Sequence, residues 1–170
     1  MARLLLNLGI IGYFGLFLLA AVALGGYWTG DRQQPQQPIA FPHTVHAGTL
    51  QLACEFCHRY AKQSRRAGVP SLTRCMSCHQ TLAAEREEIK KLTRIFEAGQ
   101  PLHWNRVYRL PDFIYFSHKR HVRGGVPCAA CHGDVARMKT VRQVRSLEMG
   151  WCLACHRDLG APTDCTTCHN

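Results

Sequence analysis

All ten cysteines of the sequence fall into five copies of one motif, Cys-x-x-Cys-His. The cysteine pairs are Cys54/Cys57, Cys75/Cys78, Cys128/Cys131, Cys152/Cys155 and Cys165/Cys168, and the histidines that follow them are His58, His79, His132, His156 and His169. In this motif two thiols one helical turn apart add to the vinyl groups of a porphyrin, and the histidine binds the iron as its proximal ligand. The sequence therefore predicts five covalently bound c-type haems.

Two other chemistries use Cys-x-x-Cys pairs. Two pairs together can build a zinc site, and one pair can act as a redox dithiol. Zinc would leave the five adjoining histidines without a role and one pair without a partner, whereas a dithiol enzyme needs one motif. The pattern favours haem, and it argues against a nucleotide-binding fold, a hydrolase or a nucleic-acid binder.

Five histidines outside the motifs are candidates for the distal side of the irons. Four of them form a repeated pattern, Phe-x-His-x-x-His, at His43, His46, His118 and His121. Residues three apart lie side by side on one turn, so one pair cannot place both imidazoles on the same iron. We expect each pair to supply distal ligands to two neighbouring haems.

The fifth distal ligand has two candidates. His103 stands alone, beside Trp104, and Met149 lies three residues before Cys152. A thioether ligand favours ferrous iron, so a His/Met haem would have a higher potential than bis-histidine haems. The residues leave His103 and Met149 as alternatives.

The first 28 residues are expected to form a membrane anchor. The run from Leu4 to Leu24 is apolar apart from Asn7 and is long enough to span a bilayer as a helix. A cleaved signal peptide is the alternative, but the run exceeds an ordinary signal core. Arg3 on the short flank places the N-terminus in the cytoplasm and the rest of the chain on the periplasmic side of the bacterial inner membrane.

The remaining chain divides into an extended Gln/Pro linker (29–40) and a haem domain (41–170). Within that domain we predict two pseudo-repeats, 41–79 and 116–169, separated by a helix over 81–98. Five haems would leave about 29 residues for each, too few for an ordinary side-chain core. The fold class expected is a haem-cored multihaem cytochrome c, irregular and helical with little sheet. Haem propionates would balance much of the +10 charge, so nucleic acid is not an expected partner.

The sequence resembles one respiratory family along nearly its whole length. The matching residues are Trp104-x-Arg106-Val107, Tyr115-Phe116-x-His118-x-x-His121 and Met149-Gly150-Trp151-Cys152, together with the five motifs and the anchor. They resemble the membrane-anchored pentahaem cytochrome c subunit of alternative complex III. The two His-x-x-His modules are also similar to those of cytochrome c3 and its trihaem relatives. One departure is Tyr108, at a position where the family often carries histidine, and it favours Met149 over His103.

The resemblance implies a role in electron transfer. Such a subunit relays electrons from quinol oxidation to a periplasmic acceptor, beside an iron–sulfur subunit, quinol-oxidising membrane subunits and a monohaem cytochrome c. It would not be an enzyme by itself. The alternative is a single-helix-anchored multihaem quinol dehydrogenase, which oxidises quinol directly. A nitrite reductase of the multihaem type is disfavoured because all five motifs end in histidine.

Overall fold

One long helix precedes a series of short ones. The structure is a computed structural model that describes the backbone of residues 1–169 and their side chains except those of residues 28–33. The α-helices are α1 (Ala2–Gln33), α2 (Cys54–Cys57), α3 (Leu72–His79), α4 (Glu87–Glu97), α5 (His118–Arg123), α6 (Cys128–His132), α7 (Met149–Asp158) and α8 (Cys165–Cys168). A π-helical turn (Thr44–Thr49) and a 3-10 turn (Val135–Arg137) complete the regular structure.

The fold class is confirmed as helical and irregular. Residues 1–169 contain no β-strand, and their one β-type pairing is an isolated antiparallel bridge between Ile114 and His169. Each of the five Cys-x-x-Cys pairs lies on its own short helix, because that geometry keeps two thiols on one side of a single turn. The remaining chain consists mainly of turns that connect these helices.

Helix α1 carries the predicted anchor. Its stretch Ala2–Tyr27, 26 residues long, is apolar enough to cross a bilayer, and none of it is buried against the rest of the chain. The helix continues to Gln33, so the predicted extended linker 29–40 is wrong in its first five residues. The first proline after the apolar run is Pro35, and proline disfavours helix in the residue before it.

The rest of that linker is bound to the haem domain. The side-chain Nε2 of Gln37 donates to the carbonyl of Asn105 (2.8 Å), whose own amide donates to Gln37 Oε1 (3.0 Å). Asn105 Nδ2 also donates to the carbonyl of Gln36 (2.6 Å), and Ile39 is buried. Residues 36–39 are therefore part of the folded unit.

The predicted helix 81–98 begins later than expected, at Glu87. The carbonyl of Leu82 accepts a hydrogen bond from His79 Nδ1 (2.9 Å). In an α-helix, the amide of Arg86 would bond to this carbonyl. The Arg86 amide bonds to Ala83 instead, and Ala83 has a positive φ of 57°. The chain thus uses residues 80–86 to orient a histidine before α4 starts.

The side-chain core is small and lies beside α3 and α4. Ile39, Met76 and Leu92 are each at most 5% exposed and contact one another. Partly buried apolar residues surround them: Leu72, Cys75, Ile95, Phe96, Leu102 and Trp104. Ala61 is the one other apolar residue buried in the described chain. A core of this size cannot by itself stabilise a domain of more than 100 residues.

Candidate haem sites

The five motifs present ten free thiols, none of them in a disulfide. Burial raises the pKa of several of these thiols, so they are protonated at neutral pH. In the described residues, no group of three or more histidine, cysteine, aspartate or glutamate side chains is placed to hold one metal ion. The potential ligands are instead distributed as cysteine pairs with separate histidines.

The second motif shows that the two thiols of a pair need not share one environment. Cys75 and Cys78 are predicted to have the same role, but the structure half-buries Cys75 against the apolar cluster and leaves Cys78 exposed. The reason is that Cys75 and Met76 lie on the side of α3 that packs on the cluster, whereas Cys78 lies outside it, with its Sγ 4.0 Å from the Ser77 hydroxyl. The thioether bond at Cys78 stays a prediction.

Three of the motif histidines are held by backbone carbonyls. His58 Nδ1 donates to Gly68 (2.6 Å), His79 Nδ1 to Leu82 (2.9 Å) and His156 Nδ1 to Pro162 (2.6 Å). A carbonyl can only accept, so each ring carries its proton on Nδ1 and leaves Nε2 free to bind a metal. This second contact also fixes the ring orientation and raises the basicity of the ligand.

The two Phe-x-His-x-x-His segments adopt the same local geometry. Phe41 stacks on the ring of His46 (centroids 4.2 Å apart, planes at 22°), and Phe116 stacks on His121 (4.6 Å, 27°). Each phenylalanine also meets the first histidine of its pair edge to face, at 4.8 Å for His43 and 4.9 Å for His118. The repeated sequence therefore corresponds to a repeated arrangement of rings.

Histidines from these segments lie opposite motif histidines at a constant separation. The ring centroids are 6.0 Å apart for His46 and His79, 6.3 Å for His118 and His132, and 6.0 Å for His121 and His156. An imidazole nitrogen binds a transition metal at about 2 Å and lies about 1 Å from its ring centre, so two rings on opposite sides of one iron have centres about 6 Å apart. The spacing fits bis-histidine haem.

His43 is half-buried and lies near a histidine of the first motif, His58. Its pKa is lowered to about 4, chiefly because burial disfavours the charged ring and then because His58 and His46 lie close by. The ring is therefore neutral at neutral pH, the state that binds a metal. Its Nδ1 is buried and has no hydrogen-bond partner among the described residues.

Comparison with known proteins also indicates covalently bound c-type haem. A family model described as "Class III cytochrome C family" matches residues 29–104, and one described as "Cytochrome c7 and related cytochrome c" matches residues 114–170. The chain has the multihaem cytochrome c fold class, with a different cytochrome c family model matching each of its two parts. A curated relative, the "Menaquinone reductase, multiheme cytochrome c subunit" of Nitratidesulfovibrio vulgaris Hildenborough, is 27% identical over 181 aligned positions, which cover 89% of this chain and 86% of the relative.

The thiols of this cytochrome show which haem motifs are neighbours. Burial is the largest cause that raises the pKa of Cys75 and of Cys128. The next cause is a nearby thiol, Cys57 for Cys75 and Cys54 for Cys128. The first motif of the chain is therefore a neighbour of both the second and the third.

The same observation extends to the end of the chain. Burial is also the largest cause that raises the pKa of Cys131 and of Cys152. The next cause is the Cys155 thiol for Cys131 and the Cys168 thiol for Cys152. The third motif is thus a neighbour of the fourth, and the fourth of the fifth, so each motif has a neighbour in the series of histidines His79, His58, His132, His156 and His169.

The fifth motif differs from the other four in its surroundings. The His169 ring lies 5.8 Å from the ring of Phe113, with the planes at 20°, and its backbone pairs with Ile114. The described residues place no second histidine ring beside it. Met149 begins α7, which carries Cys152, the neighbour of Cys168, and its side chain is 64% exposed.

His103 lies in a different part of the cytochrome. Both of its chain neighbours, Leu102 and Trp104, pack on the apolar cluster around Met76. Trp104 also meets Phe41 edge to face at 6.4 Å. His103 itself is exposed and sits at the end of the molecule that holds the second motif.

Two residues near the sites were not predicted as functional. Tyr108 meets the ring of His132 edge to face at 4.5 Å, so the tyrosine packs against a predicted proximal ligand. Arg65 donates from Nε to the carbonyl of Phe116 (3.4 Å) and lies over the ring of Tyr115. Both contacts join residues more than 20 positions apart, so no local pattern in the sequence predicts them.

Proposed function

We propose that this cytochrome is the electron-relay subunit of a quinone-linked membrane complex and that it carries five c-type haems. The observation that carries the proposal is the constant 6.0–6.3 Å separation between three motif histidines and three histidines of the His-x-x-His pairs. Each haem, when bound, supplies one-electron chemistry at its iron. The ten motif cysteines would hold the haems through thioether bonds, and the five motif histidines would be their proximal ligands.

Four of the haems are proposed to be bis-histidine. The pairs are His46 with His79, His118 with His132, His121 with His156, and His43 with His58. Three of them rest on ring distances, and the fourth rests on the burial of His43 and the proximity of His58. Two imidazoles close both axial positions, and such irons transfer electrons without binding substrate.

For the fifth haem, Met149 is the distal ligand that we propose, opposite His169. Met149 lies on the helix whose Cys152 neighbours Cys168, whereas His103 is flanked by residues of the apolar cluster at the opposite end of the series. The test replaces each candidate in turn. Met149→Leu should leave one haem with an open iron that binds carbon monoxide when reduced, and His103→Ala should bind none. The reverse result would assign His103.

The order of the motifs supports a linear path. Electrons would pass between the haems of His79, His58, His132, His156 and His169 in that sequence. The His79 end packs against Ile39, in the segment that follows the anchor helix, so we place this end nearest the membrane. The His169 end would then exchange electrons with a partner in the periplasm.

The complex is proposed to be of the alternative complex III type, with electrons running from quinol to a periplasmic acceptor. Its other members would be an iron–sulfur subunit, quinol-oxidising membrane subunits and a monohaem cytochrome c. The support is the sequence resemblance together with helix α1. A second candidate is flow in the opposite direction, towards menaquinone, and the name of the 27% identical relative, a menaquinone reductase subunit, favours it.

Reduction by a menaquinol analogue tests these functions. The detergent-purified cytochrome and its native membrane complex are each mixed with the analogue, and haem reduction is followed by absorbance. Reduction only in the complex supports a relay subunit, whereas fast reduction of the isolated chain would make it a quinol dehydrogenase. Oxidation of the pre-reduced complex by a menaquinone analogue, faster than the forward reaction, would favour the second candidate.

The haem count is tested separately by the intact mass of the purified cytochrome. Five covalent haems should be found for each chain. Four or fewer in the fully matured protein would contradict the assignment of at least one motif.

A further inference from the structure

One loop of the first pseudo-repeat is bonded to the first helix of the second. The 62–66 loop supplies three carbonyls: Arg65 accepts from the amide of His118 (3.0 Å), Ser64 from the amide of Lys119 (3.0 Å) and Lys62 from Nε of Arg123 (2.9 Å). These bonds run to the start and the end of α5. They join the part of the chain that holds the His58 motif to the part that holds the His132 motif.

Arg65 makes further contacts within this junction. Its guanidinium carbon lies 3.7 Å from the centre of the Tyr115 ring, and its Nε donates to the Phe116 carbonyl. A planar guanidinium stacked on an aromatic ring has a fixed orientation that a flexible ammonium group cannot copy. The side chain therefore fixes the position of its own backbone relative to residues 115–118.

The carbonyl of Arg65 also orients a histidine ring. It accepts from His118 Nδ1 at 2.9 Å, in addition to the amide of the same residue. His46 and His121 instead donate from Nδ1 to the carbonyl four residues earlier, Pro42 at 3.1 Å and Ser117 at 2.8 Å. Of these three rings, only that of His118 depends on the other pseudo-repeat for its orientation.

We propose that Arg65 is a positioning residue for the haem at the junction of the two pseudo-repeats. This inference rests on the proposed function, in which His118 is the distal ligand opposite His132. The Arg65 side chain holds the 62–66 loop in place, the loop carbonyl holds His118 Nδ1, and the bonded imidazole is a stronger donor to ferric iron. Arg65 would thereby keep the potential of this haem low while it secures the connection between the two halves of the relay.

The sign of the change in Arg65→Ala separates this role from a purely electrostatic one. Removal of a positive charge near a haem stabilises ferric iron and lowers its potential. Loss of the hydrogen bond to His118 weakens the ligand and raises the potential. We expect a rise of about 59 mV in one haem, which corresponds to a tenfold change in its reduction equilibrium.

The experiment is a spectroscopic redox titration of the matured cytochrome with five haems. The matched control is Arg66→Ala, which removes the same charge from the next, exposed residue. A rise of one midpoint in Arg65→Ala, none in Arg66→Ala and an intermediate value in Arg65→Lys would support the proposal. A fall, or equal shifts in both alanine variants, would overturn it.

A double-mutant comparison identifies the haem that responds. His118→Met changes the ligand of the junction haem and marks its midpoint, and Arg65→Ala added to this variant should give no further rise. A rise that persists would place the effect at another haem and overturn the assignment. If Arg65→Ala does not accumulate, Tyr115→Leu removes the stacking partner from the other side and should raise the same midpoint.

The proposed function and this inference can fail separately. A wild-type protein with fewer than five haems, or without bis-histidine spectra, contradicts the proposed function. An unchanged midpoint in both Arg65→Ala and Tyr115→Leu, with five haems present, contradicts only the role of Arg65.

Discussion

The two pseudo-repeats carry the same pair of histidines on different supports. The first, with the segment that leads into it, packs on a cluster of buried apolar side chains formed by Ile39, Met76 and Leu92. In the second, the one buried residue among 116–169 is polar, Ser117. Its first helix is instead held by hydrogen bonds to the 62–66 loop. The ring geometry is thus reproduced while the means of stabilising it are not.

This difference shows where the cofactors must contribute most. Burial of apolar side chains is the main favourable term in folding, and the second pseudo-repeat has little of it. Covalent haems supply both apolar surface and ligand bonds, so their binding free energy becomes folding free energy. We therefore expect the second pseudo-repeat to depend on its haems more than the first does.

The largest effect should follow from removal of a haem site in the second pseudo-repeat. In Cys152→Ser/Cys155→Ser, trypsin should cleave residues 138–148 more than tenfold faster, equivalent to about 1.4 kcal/mol of opening free energy. The matched change in the first pseudo-repeat, Cys75→Ser/Cys78→Ser, should affect protease resistance less because the apolar cluster remains. Equal cleavage rates, measured by gel densitometry, would show that the two units depend equally on haem.

The next largest effect should come from the apolar cluster. Leu92→Ala removes a side chain that is 4% exposed and should lower the free energy of unfolding by about 2–5 kcal/mol. Leu82→Ala is the control, since this side chain is 62% exposed and its replacement should cost no more than about 0.5 kcal/mol. Denaturant unfolding followed by circular dichroism measures both, and similar losses would contradict the position of the cluster.

A smaller effect is expected where the two pseudo-repeats touch. A Cβ atom on Gly48 would lie 2.7 Å from the carbonyl oxygen of Ala136, so Gly48→Ala must displace one backbone from the other. We expect a loss of about 1–3 kcal/mol, read from the thermal midpoint. Gly150→Ala, in helix α7 with no atom within 4 Å, should be neutral or slightly stabilising. An unchanged thermal midpoint in Gly48→Ala would mean that the π-helical turn and the 3-10 turn can move apart without loss of stability.

The smallest effect should come from the ion pair between Lys62 and Glu55. The atoms are 2.9 Å apart, but both side chains are exposed by more than 40%. Glu55→Gln should therefore lower the free energy of unfolding by no more than about 1 kcal/mol. A clearly larger loss in denaturant unfolding would show that this pair, and not the backbone bonds alone, fixes the 62–66 loop.

The sequence predicted what depends on local spacing. The Cys-x-x-Cys pairs form single helical turns, the apolar run forms helix α1, and the multihaem cytochrome c class is confirmed. The start of α4 could not be read from the pattern 81–98, because the Leu82 carbonyl is used by His79. Arg65 was equally hidden, since its partners Tyr115 and Phe116 lie 50 or more residues away. Contacts that position a ligand through residues far away in the sequence leave no periodic pattern.

The bridge between Ile114 and His169 has a consequence for biogenesis. The amide of Tyr115 donates to the carbonyl of Cys168 (2.7 Å), so the last motif of the chain is bonded to a segment made long before it. A ribosome releases the segment 113–115 while residues 165–169 are still unmade. That segment has no partner until residues 165–169 have been made. The fifth haem motif can therefore be completed only after both segments have been made, and a chain interrupted before residue 165 would leave the 113–115 segment unpaired and open to quality-control proteases.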